Sequence, residues 1–350
     1  MNATADAAVS ETTTRQLGRK ARERLRFCHL RRGALLGLAL CALLTDDAAM
    51  AQTWPAKTVR LVVPYPPGGG NDLLARWIAP VLAERWAQAV VVDNRPGAAG
   101  NLGADEVARA AADGHTLLMA TSTIAMTPGL GQKVAYDLER DLVASAPVAR
   151  TAMVIAVHPE VPARTFRELL ALARAQPGKL AYSTCGNASP MHLAGELLKL
   201  SASIDLLHVP YKGCAPALVD VLGGQVAIAF NTISNTVAHE RAGKLRILAL
   251  ASAQRLADFP AIPTVAEEGI SGYDAGIWFG LFAPAQTPRA VVDALSAAVN
   301  QALTTAAVRE KMRTQFYEPW SGDAGGFQKF VKDETTKWTR TIRAANIKAD

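Results

Sequence analysis

The chain has 350 residues, of which 50% are hydrophobic and 19% are charged, and its formal net charge is +6. About half of that charge comes from residues 1–51, so the rest of the chain is only weakly basic, which argues against a nucleic-acid partner. About 300 residues follow, enough for one large or two medium domains with well-buried cores.

The first 51 residues have the pattern of a secretory signal. A basic stretch ends at Arg31-Arg32, an apolar run covers residues 33–44, and Ala49-Met50-Ala51 has the small-x-small form that a signal peptidase cuts. The apolar run is shorter than the roughly 20 residues that span a bilayer, although a membrane anchor or a buried helix is an alternative. We predict a signal peptide over residues 1–51 and a periplasmic protein. The pattern leaves the export route, general or twin-arginine, open.

The remaining chain alternates short apolar runs with helical patterns. Strands are predicted over residues 59–63, 89–92, 116–119, 152–157, 206–209, 226–230 and 245–251. Apolar residues at helical spacing run from Leu73 to Leu82, from Val291 to Leu303 and from Phe327 to Ile342. Strands that alternate with helices of this length predict an α/β fold with mostly parallel sheets flanked by helices.

Two segments are predicted to cross between lobes. They cover residues 141–159 and 271–288. If both join the same pair of lobes, residues 52–152 and 276–350 form the first lobe and residues 153–275 the second. Ligands of α/β folds usually bind beyond the carboxyl ends of the strands, which here predicts a site in the cleft between the lobes.

A glycine-rich loop follows the first strand. It runs from Tyr65 to Asp72 as Tyr-Pro-Pro-Gly-Gly-Gly-Asn-Asp and opens the next helix. Glycines let the backbone amides approach a ligand, and a helix N-terminus favours an anion. The alternative is a plain turn with Asp72 as N-cap. The candidate ligand residues here are Tyr65, Pro67, Gly68, Gly69, Gly70 and Asp72.

A similar loop follows a later apolar run and contains hydroxyl side chains. Ser189 is predicted to cap the next helix, with Pro190 at its first position. A capped turn without a ligand is the alternative. The candidate ligand residues here are Ser183, Thr184, Gly186, Asn187 and Ser189.

Further candidates stand at other strand ends or at a crossing. They are Ser122, Tyr211, Lys212, Asn231 and Trp278. Lys212 could neutralise a carboxylate or could be a solvated surface lysine, and Trp278 could line the pocket or pack in the core. Because the chain has no CxxC motif, zinc-site spacing, GxGxxG fingerprint or P-loop, we expect neither a metal nor a cofactor.

Four more motifs accompany the two loops: Asn-Arg-Pro-Gly-Ala-Ala-Gly from Asn94, Asp-Gly-His-Thr-Leu-Leu from Asp113, His-Val-Pro-Tyr-Lys-Gly from His208 and Trp-Phe-Gly-Leu-Phe-Ala-Pro from Trp278. In this order, the motifs resemble those of the Bug family of TctC-like receptors, the periplasmic components of tripartite tricarboxylate transporters. The resemblance covers nearly the whole chain after residue 51. It implies a type II binding-protein fold that closes like a flytrap, with a ligand carboxylate held by backbone amides and waters at residues 66–72 and 183–189. It also implies transporter membrane subunits as partners, and we expect a monomer.

The chain departs from the family pattern within these loops. Ala188 stands where glycine is usual, Asn231 stands where aspartate is frequent, and a cysteine is unusual at the positions of Cys185 and Cys214. These departures affect the identity of the ligand, which could be a mono-, di- or tricarboxylate or another acidic metabolite, more than they affect the fold.

Two other functions are compatible with the residues. Ser189 and His192, with Cys185 nearby, could be drawn as the nucleophile and base of a hydrolase, but no GxSxG motif is present and no orienting acid is evident. His192 is better explained as a loop-bracing or packing residue, and we expect no catalytic residues. A receptor that presents its ligand to a membrane sensor kinase would have the same sequence features as a transport receptor.

Cys185 and Cys214 are predicted to form a disulfide. Both follow short apolar runs, residues 179–182 and 206–209, whose ends would share one rim if the two strands are parallel neighbours. Export would make oxidation possible. Two unpaired thiols that pack as small apolar groups are the alternative.

Overall fold

The computed structural model of the protein describes residues 54–348. The predicted signal segment, residues 1–51, lies outside the described residues. The strands are β1 (Val59–Val63), β2 (Val90–Asn94), β3 (Thr116–Thr121), β4 (Leu142–Thr151), β5 (Met153–Val157), β6 (Ala181–Thr184), β7 (Leu207–Pro210), β8 (Ile228–Thr232), β9 (Arg246–Leu250), β10 (Ile277–Pro284) and β11 (Glu318–Pro319).

Helices connect most of these strands. They are α1 (Gly70–Trp86), α2 (Asn101–Ala108), α3 (Thr123–Met126), α4 (Leu138–Asp141), α5 (Phe166–Ala175), α6 (Pro190–Ala202), α7 (Cys214–Leu222), α8 (Ile233–Arg241), α9 (Arg289–Ala302), α10 (Ala306–Thr314) and α11 (Ala324–Ala344). Along residues 54–348, no single helix has the length and apolar content needed to cross a bilayer, whereas the pair α9 and α10, bent by 73°, meets that test as a pair.

The strands form two sheets. The first has the order β11-β4-β10-β3-β1-β2, and the second has the order β7-β6-β8-β5-β9. Within the first sheet β1 pairs in parallel with β2 and β3, while β10 pairs antiparallel with β3 and β4. Within the second, β6 pairs in parallel with β7 and β8, while β5 is antiparallel to β8 and β9. The predicted α/β class is confirmed, but both sheets are mixed, so the expectation of mostly parallel sheets was wrong.

The antiparallel pairs of the second sheet come from β5. Those of the first sheet come mainly from β4 and β10, which lie in the two segments predicted as crossings. Both strands are long and largely buried, so they lack the alternation of apolar and polar residues that marks a half-exposed strand. Pro147 and Gly280 also interrupt them in sequence. Gly280 is required by packing, because a Cβ there would collide with the Phe327 ring and the Ala146 carbonyl.

Long helices cover the first sheet, as their apolar spacing predicted. From α11, Phe327, Val331, Trp338 and Ile342 are all buried. The Phe327 ring meets those of Trp278 and Phe282 edge-on, with centroids 5.7 and 5.6 Å apart. Burial of each such side chain contributes about 1.5–3 kcal/mol, so this face holds helix and sheet together.

The carboxyl ends of the parallel strands point to one edge of each sheet, and the chain passes between the sheets at these edges. Ala152 alone separates β4 from β5, and residues 251–276 connect β9 to β10. Ile277 pairs with Thr151 in the first sheet, and Met153 pairs with Thr232 in the second. The second connection begins against the first, because the Ala251 amide donates to the Met153 carbonyl at 2.7 Å. The loops after β1 and β3 therefore lie at the same edge of the first sheet as one end of each connection. The loops after β6, β7 and β8 lie at the same edge of the second sheet as the other ends.

Candidate functional site

The glycine-rich loop lies between β1 and α1. Helix α1 begins at Gly70, with Gly69 as its N-cap, so Asp72 is not the N-cap that the alternative of a plain turn gave it. The first amide of the helix with a main-chain acceptor is that of Leu73, which donates to Gly69. Among the described residues, the amides of Gly69, Gly70 and Asn71 have no hydrogen-bond acceptor. These three donors at a helix N-terminus can bind an anion.

Close packing explains the glycine at the start of α1. A Cβ at Gly70 would lie 2.5 Å from the Tyr317 hydroxyl and 3.1 Å from the Phe279 ring, so a larger residue there would have to displace these two side chains. At the tip of the loop, Gly68 has a φ of 89°, in the left-handed region that favours glycine. Pro67, Gly68 and Gly69 are exposed. The loop is thus anchored at its helix end and open at its tip.

Asp72 braces this loop from inside the fold. Its carboxylate is 3% exposed and accepts hydrogen bonds from the Gly68 amide at 2.9 Å, from Arg76 Nε at 2.9 and 3.0 Å, and from Asn94 Nδ2 at 3.0 Å. Asn94 also donates to the Tyr65 carbonyl at 3.0 Å. Burial opposes ionisation of Asp72, but these donors outweigh it and hold the pKa of the carboxyl below its usual value.

Sequence reasoning did not identify Arg76 and Asn94 as part of this brace. Arg76 is one helical turn after Asp72, a spacing that could have indicated the ion pair. Asn94 ends β2, and because β1 and β2 are parallel neighbours, its side chain reaches the loop that follows β1. The sequence shows that Asn94 follows a strand, but it does not show which strand lies beside it.

Ser122 and Trp278 meet at the same edge but differ in role. The Ser122 amide donates to the Trp278 carbonyl at 3.0 Å. The Ser122 hydroxyl is fully buried and has no hydrogen-bond partner among the described residues. Trp278 is 2% exposed and donates from Nε1 to Glu334 at 3.2 Å, within a cluster of aromatic rings. Trp278 therefore packs in the core, the alternative that the sequence left open.

Tyr65 joins the glycine loop to the segment before α2. Its hydroxyl donates to the Ala99 carbonyl at 3.2 Å, and burial raises its pKa above the usual range. The phenol is neutral at physiological pH, so its side chain adds no negative charge to the candidate anion site.

The second loop lies between β6 and α6. The Ser189 hydroxyl accepts from the His192 amide at 3.3 Å and Pro190 is the first residue of the helix, as predicted. Ser183 and Thr184 are buried, and Asn187 donates from Nδ2 to the Lys348 carbonyl at 3.0 Å.

Position 188 has a conformation that usually requires glycine. Ala188 has a φ of 54°, in the left-handed region that costs an L-residue with a Cβ roughly 1–2 kcal/mol. The family resemblance expects glycine at this position, and the backbone angle gives the physical reason for that preference.

The predicted disulfide is present, with Cys185 and Cys214 joined across a separation of 29 residues. Strands β6 and β7 are parallel neighbours, and Thr184 pairs with Pro210 at their shared rim, as the prediction required. The Gly213 amide also donates to the Cys185 carbonyl at 3.2 Å. The bond therefore ties the second loop to the loop after β7.

The other candidates on this edge differ in whether their side chains already have hydrogen-bond or ion-pair partners. The Tyr211 hydroxyl donates to Asp220 at 2.6 Å, and the Asn231 amide oxygen accepts from the Thr232 amide and from Asn235, both at 2.9 Å. Lys212 is exposed and makes no ion pair within the described part of the chain. Of these three side chains, that of Lys212 has neither a hydrogen bond nor an ion pair within the described residues, so its ammonium group is available to a ligand.

The candidate residues form two groups. Those near the first sheet are Tyr65, Pro67, Gly68, Gly69, Gly70, Asp72, Ser122 and Trp278, and those near the second are Ser183, Thr184, Gly186, Asn187, Ser189, Tyr211, Lys212 and Asn231. Helix N-termini accompany both groups, because β1, β6, β7 and β8 each lead directly into a helix. Residues of both connections, together with Trp278 of the first group, line a small cavity of about 50 Å³.

A larger concavity of about 450 Å³ lies elsewhere, between residues 256–259 and residues 309–319. It contains none of the candidate residues. Its volume alone therefore does not make it the ligand site, because the unsatisfied amides and helix N-termini lie at the sheet edges.

Two mixed α/β sheets joined by two connections at their carboxyl edges define the class of periplasmic binding proteins. Solved members of that class are similar to this chain throughout the fold. The periplasmic binding protein BugD is 30% identical with a TM-score of 0.68, covering 85% of this chain and 100% of that one. MatC from Rhodopseudomonas palustris with bound malate is 30% identical, with a TM-score of 0.68 and coverages of 83% and 100%. An R. palustris protein solved with adipate is 34% identical, with a TM-score of 0.71 and coverages of 84% and 99%.

Sequence comparison gives the family. The profile described as "Tripartite tricarboxylate transporter family receptor" matches residues 74–347. Protein BugT of Bordetella pertussis (strain Tohama I) is 34% identical over 317 residues, covering 90% of this chain and 97% of that protein. The chain belongs to the tripartite tricarboxylate transporter receptor family, as the resemblance implied.

Proposed function

We propose that the chain is the solute receptor of a tripartite carboxylate transporter and binds a small carboxylate between the two groups of candidate residues. The observation that carries this proposal is the row of three amides at Gly69, Gly70 and Asn71 without protein acceptors at the N-terminus of α1. Such donors favour an anion, and a group of three neighbouring amides is small enough to suit a carboxylate. The relatives solved with adipate and malate support the same ligand class.

The two groups would close on the ligand as jaws. In this proposal residues 52–152 and 276–350 form one lobe and residues 153–275 the other, which agrees with the division of the strands between the two sheets. Ala152 and residues 251–276 would then be the hinge. A few residues at the ends of such connections absorb the backbone rotation when a binding protein closes.

The charge of the ligand would be balanced by amide dipoles and hydroxyls more than by ion pairs. Of the candidate residues, Lys212 is the one with a cationic side chain. Ser122 and Ser183 supply buried hydroxyls at the ends of β3 and β6. The carboxylate of Asp72 would act through the loop, since its oxygens already accept bonds from protein donors.

The protein would bind its ligand without converting it. In the hydrolase alternative Ser189 is the nucleophile, but its hydroxyl accepts a hydrogen bond from the His192 amide as a helix cap, and His192 Nδ1 accepts one from the Ala188 amide at 3.0 Å.

Relatives named as periplasmic binding proteins support a periplasmic location, and we propose residues 1–51 as the cleaved signal.

Calorimetry on the mature chain, beginning at Gln52, tests this function. The panel contains adipate, malate, a tricarboxylate and a monocarboxylate, and the matched control for each acid is its uncharged amide. At least one carboxylate should bind with a Kd well below a millimolar while its amide should not. Binding of the amides with no binding of the acids would contradict the proposal.

A further inference from the structure

Two histidine rings lie face to face beneath the second loop. His192, near the start of α6, and His208, in β7, have ring centroids 3.7 Å apart and planes only 8° from parallel. His192 is 7% exposed, and His208 is half-buried. The pair therefore lies inside the second sheet's edge, under the loop of residues 185–189.

Each ring is connected to one point of that loop. The Ala188 amide donates to His192 Nδ1 at 3.0 Å, so this nitrogen carries no hydrogen. His208 Nε2 lies 2.7 Å from the Thr184 hydroxyl, which donates to the Gly186 carbonyl at 3.2 Å. A hydroxyl donates one hydrogen bond, and that of Thr184 goes to the Gly186 carbonyl. The His208 Nε2–H therefore donates to the Thr184 oxygen. The pair thus fixes positions 186 and 188.

The loop needs such support because its backbone is unfavourable. Gly186 has a φ of 146° and Ala188 has a φ of 54°. A residue with a Cβ persists in the left-handed region only where surrounding contacts determine it. The bond from Ala188 to His192 is such a contact, so loss of the acceptor should let this part of the loop relax.

We propose that His192 and His208 are positioning residues for ligand binding: as a neutral pair they hold residues 185–189 in the conformation that binds a carboxylate, and protonation of the pair releases them. The inference rests on the proposed carboxylate-binding function. A proton on His192 Nδ1 would turn the acceptor into a donor that faces the Ala188 N–H. A second proton would place two like charges in stacked rings.

The surroundings favour the neutral pair. Among the described residues, titratable and charged groups that lie near it are Tyr182 from β6 and Glu196 and Lys199 from α6. Tyr273, from the connection between β9 and β10, donates to the Ala194 carbonyl of α6. Glu196 and Lys199 pair with each other at 2.9 Å. Burial, followed by the neighbouring His192, lowers the pKa of His208 to about 4, so its ring is neutral at physiological pH.

Two variants of His192 distinguish the effect of its hydrogen-bond acceptor from the effect of its stacked ring. His192→Asn places an amide oxygen near the position of Nδ1, which accepts the Ala188 amide but does not titrate. His192→Phe keeps a stacked ring and removes the acceptor. Adipate and malate affinities are measured by calorimetry between about pH 7 and pH 3.5, a range that extends below the lowered pKa of His208. The titration of the ligands themselves is common to all three proteins.

The expected result is a loss of affinity in the wild type that exceeds the loss in His192→Asn by at least about tenfold over this range. His192→Phe should bind weakly throughout. Equal losses in the wild type and His192→Asn would overturn the proposal.

A ligand-free measurement tests the pair independently of ligand binding. The Ala188 amide resonance should move with pH as the pair takes up a proton, and it should stay fixed in His192→Asn. A fixed resonance in the wild type would overturn the proposal. If the resonance moves but no carboxylate binds at neutral pH, the proposed function fails while the pH-dependent positioning of the loop is supported.

Discussion

The main-chain amide of Gly68 donates to Oδ2 of Asp72 at 2.9 Å, so a buried carboxylate holds the tip of the glycine loop back onto the first turn of α1. Asp72 is the third residue of the helix, and the same carboxylate meets Arg76 and Asn94. The loop's shape thus depends on one side chain that need not touch the ligand.

Asp72→Asn should destabilise the protein by about 1–3 kcal/mol, the usual cost of losing hydrogen bonds to a buried charged group. Asparagine keeps one acceptor oxygen but places an amide group where Asp72 accepts from protein donors. Ligand affinity should fall as well, because Gly68 is released. Urea unfolding and calorimetry at neutral pH measure the two effects.

Asp105→Asn is the matched control. Asp105 pairs with Arg109 at the same helical spacing and a distance of 2.8 Å, but this pair is more exposed. Exposed pairs of this kind contribute about 0.3–0.5 kcal/mol, so the control should lose little stability. The Asp72 carboxyl has a lowered pKa, so its contribution is complete above its unfolded pKa of about 4 and is lost as the pH falls through the folded value. Equal losses for the two variants at neutral pH would contradict the brace.

His208 should make the stability of the fold depend on pH in a higher range than Asp72 does. Burial and His192 lower its pKa to about 4, while an unfolded histidine titrates near 6.5. Between these values the unfolded chain binds the proton and the folded chain does not, so stability falls as the pH drops from about 6.5 to about 4. The expected loss is about 2–3 kcal/mol. His208→Gln should flatten this part of a stability profile measured by urea unfolding. An unchanged slope would show that another group titrates there.

The disulfide between Cys185 and Cys214 should stabilise the mature protein by about 3–4 kcal/mol, the loop-closure value for some 30 residues. The double variant Cys185→Ser with Cys214→Ser should lose that amount in urea unfolding under non-reducing conditions. Thiol titration of the unfolded mature chain should find no free thiols. Two free thiols per chain would contradict the bond.

The sequence predicted those parts of the fold whose signals are local. Strand β1 has the predicted bounds, and α9 and α11 bury the apolar faces that their spacing indicated. The sheets were harder, because β4 and β10 are buried on both faces and so show no alternation. Their antiparallel pairing depends on contacts more than 100 residues apart in the chain.

The candidate loops could be located from the sequence because each follows a strand and opens a helix. Their internal bonds could not, because the partners are remote: Asn94 reaches Asp72 from β2, and His208 reaches Thr184 from β7. Such pairs form only once the order of strands is known. For the same reason a single sequence could not separate Trp278, which the aromatic cluster buries, from the residues that can face a ligand.

Ser122 offers the sharpest test of the ligand site, because its hydroxyl is buried without a hydrogen-bond partner in the described residues. A buried polar group without a hydrogen-bond partner destabilises the folded state by roughly 1–3 kcal/mol. Ser122→Ala should therefore leave the ligand-free protein as stable as the wild type or more stable. If the hydroxyl meets the carboxylate, affinity should fall at least about tenfold in the same variant.

Thr287→Val provides the matched control, since the Thr287 hydroxyl is also buried without a partner but lies just after β10, at the end of the strand away from Trp278. Both substitutions remove an unsatisfied hydroxyl, so both should preserve or raise the melting temperature of the ligand-free protein. Only Ser122→Ala should weaken binding of the carboxylate identified in the calorimetric panel. A fall in affinity of the same size in both variants would mean that the effect passes through the fold, and undiminished affinity in Ser122→Ala would remove Ser122 from the site.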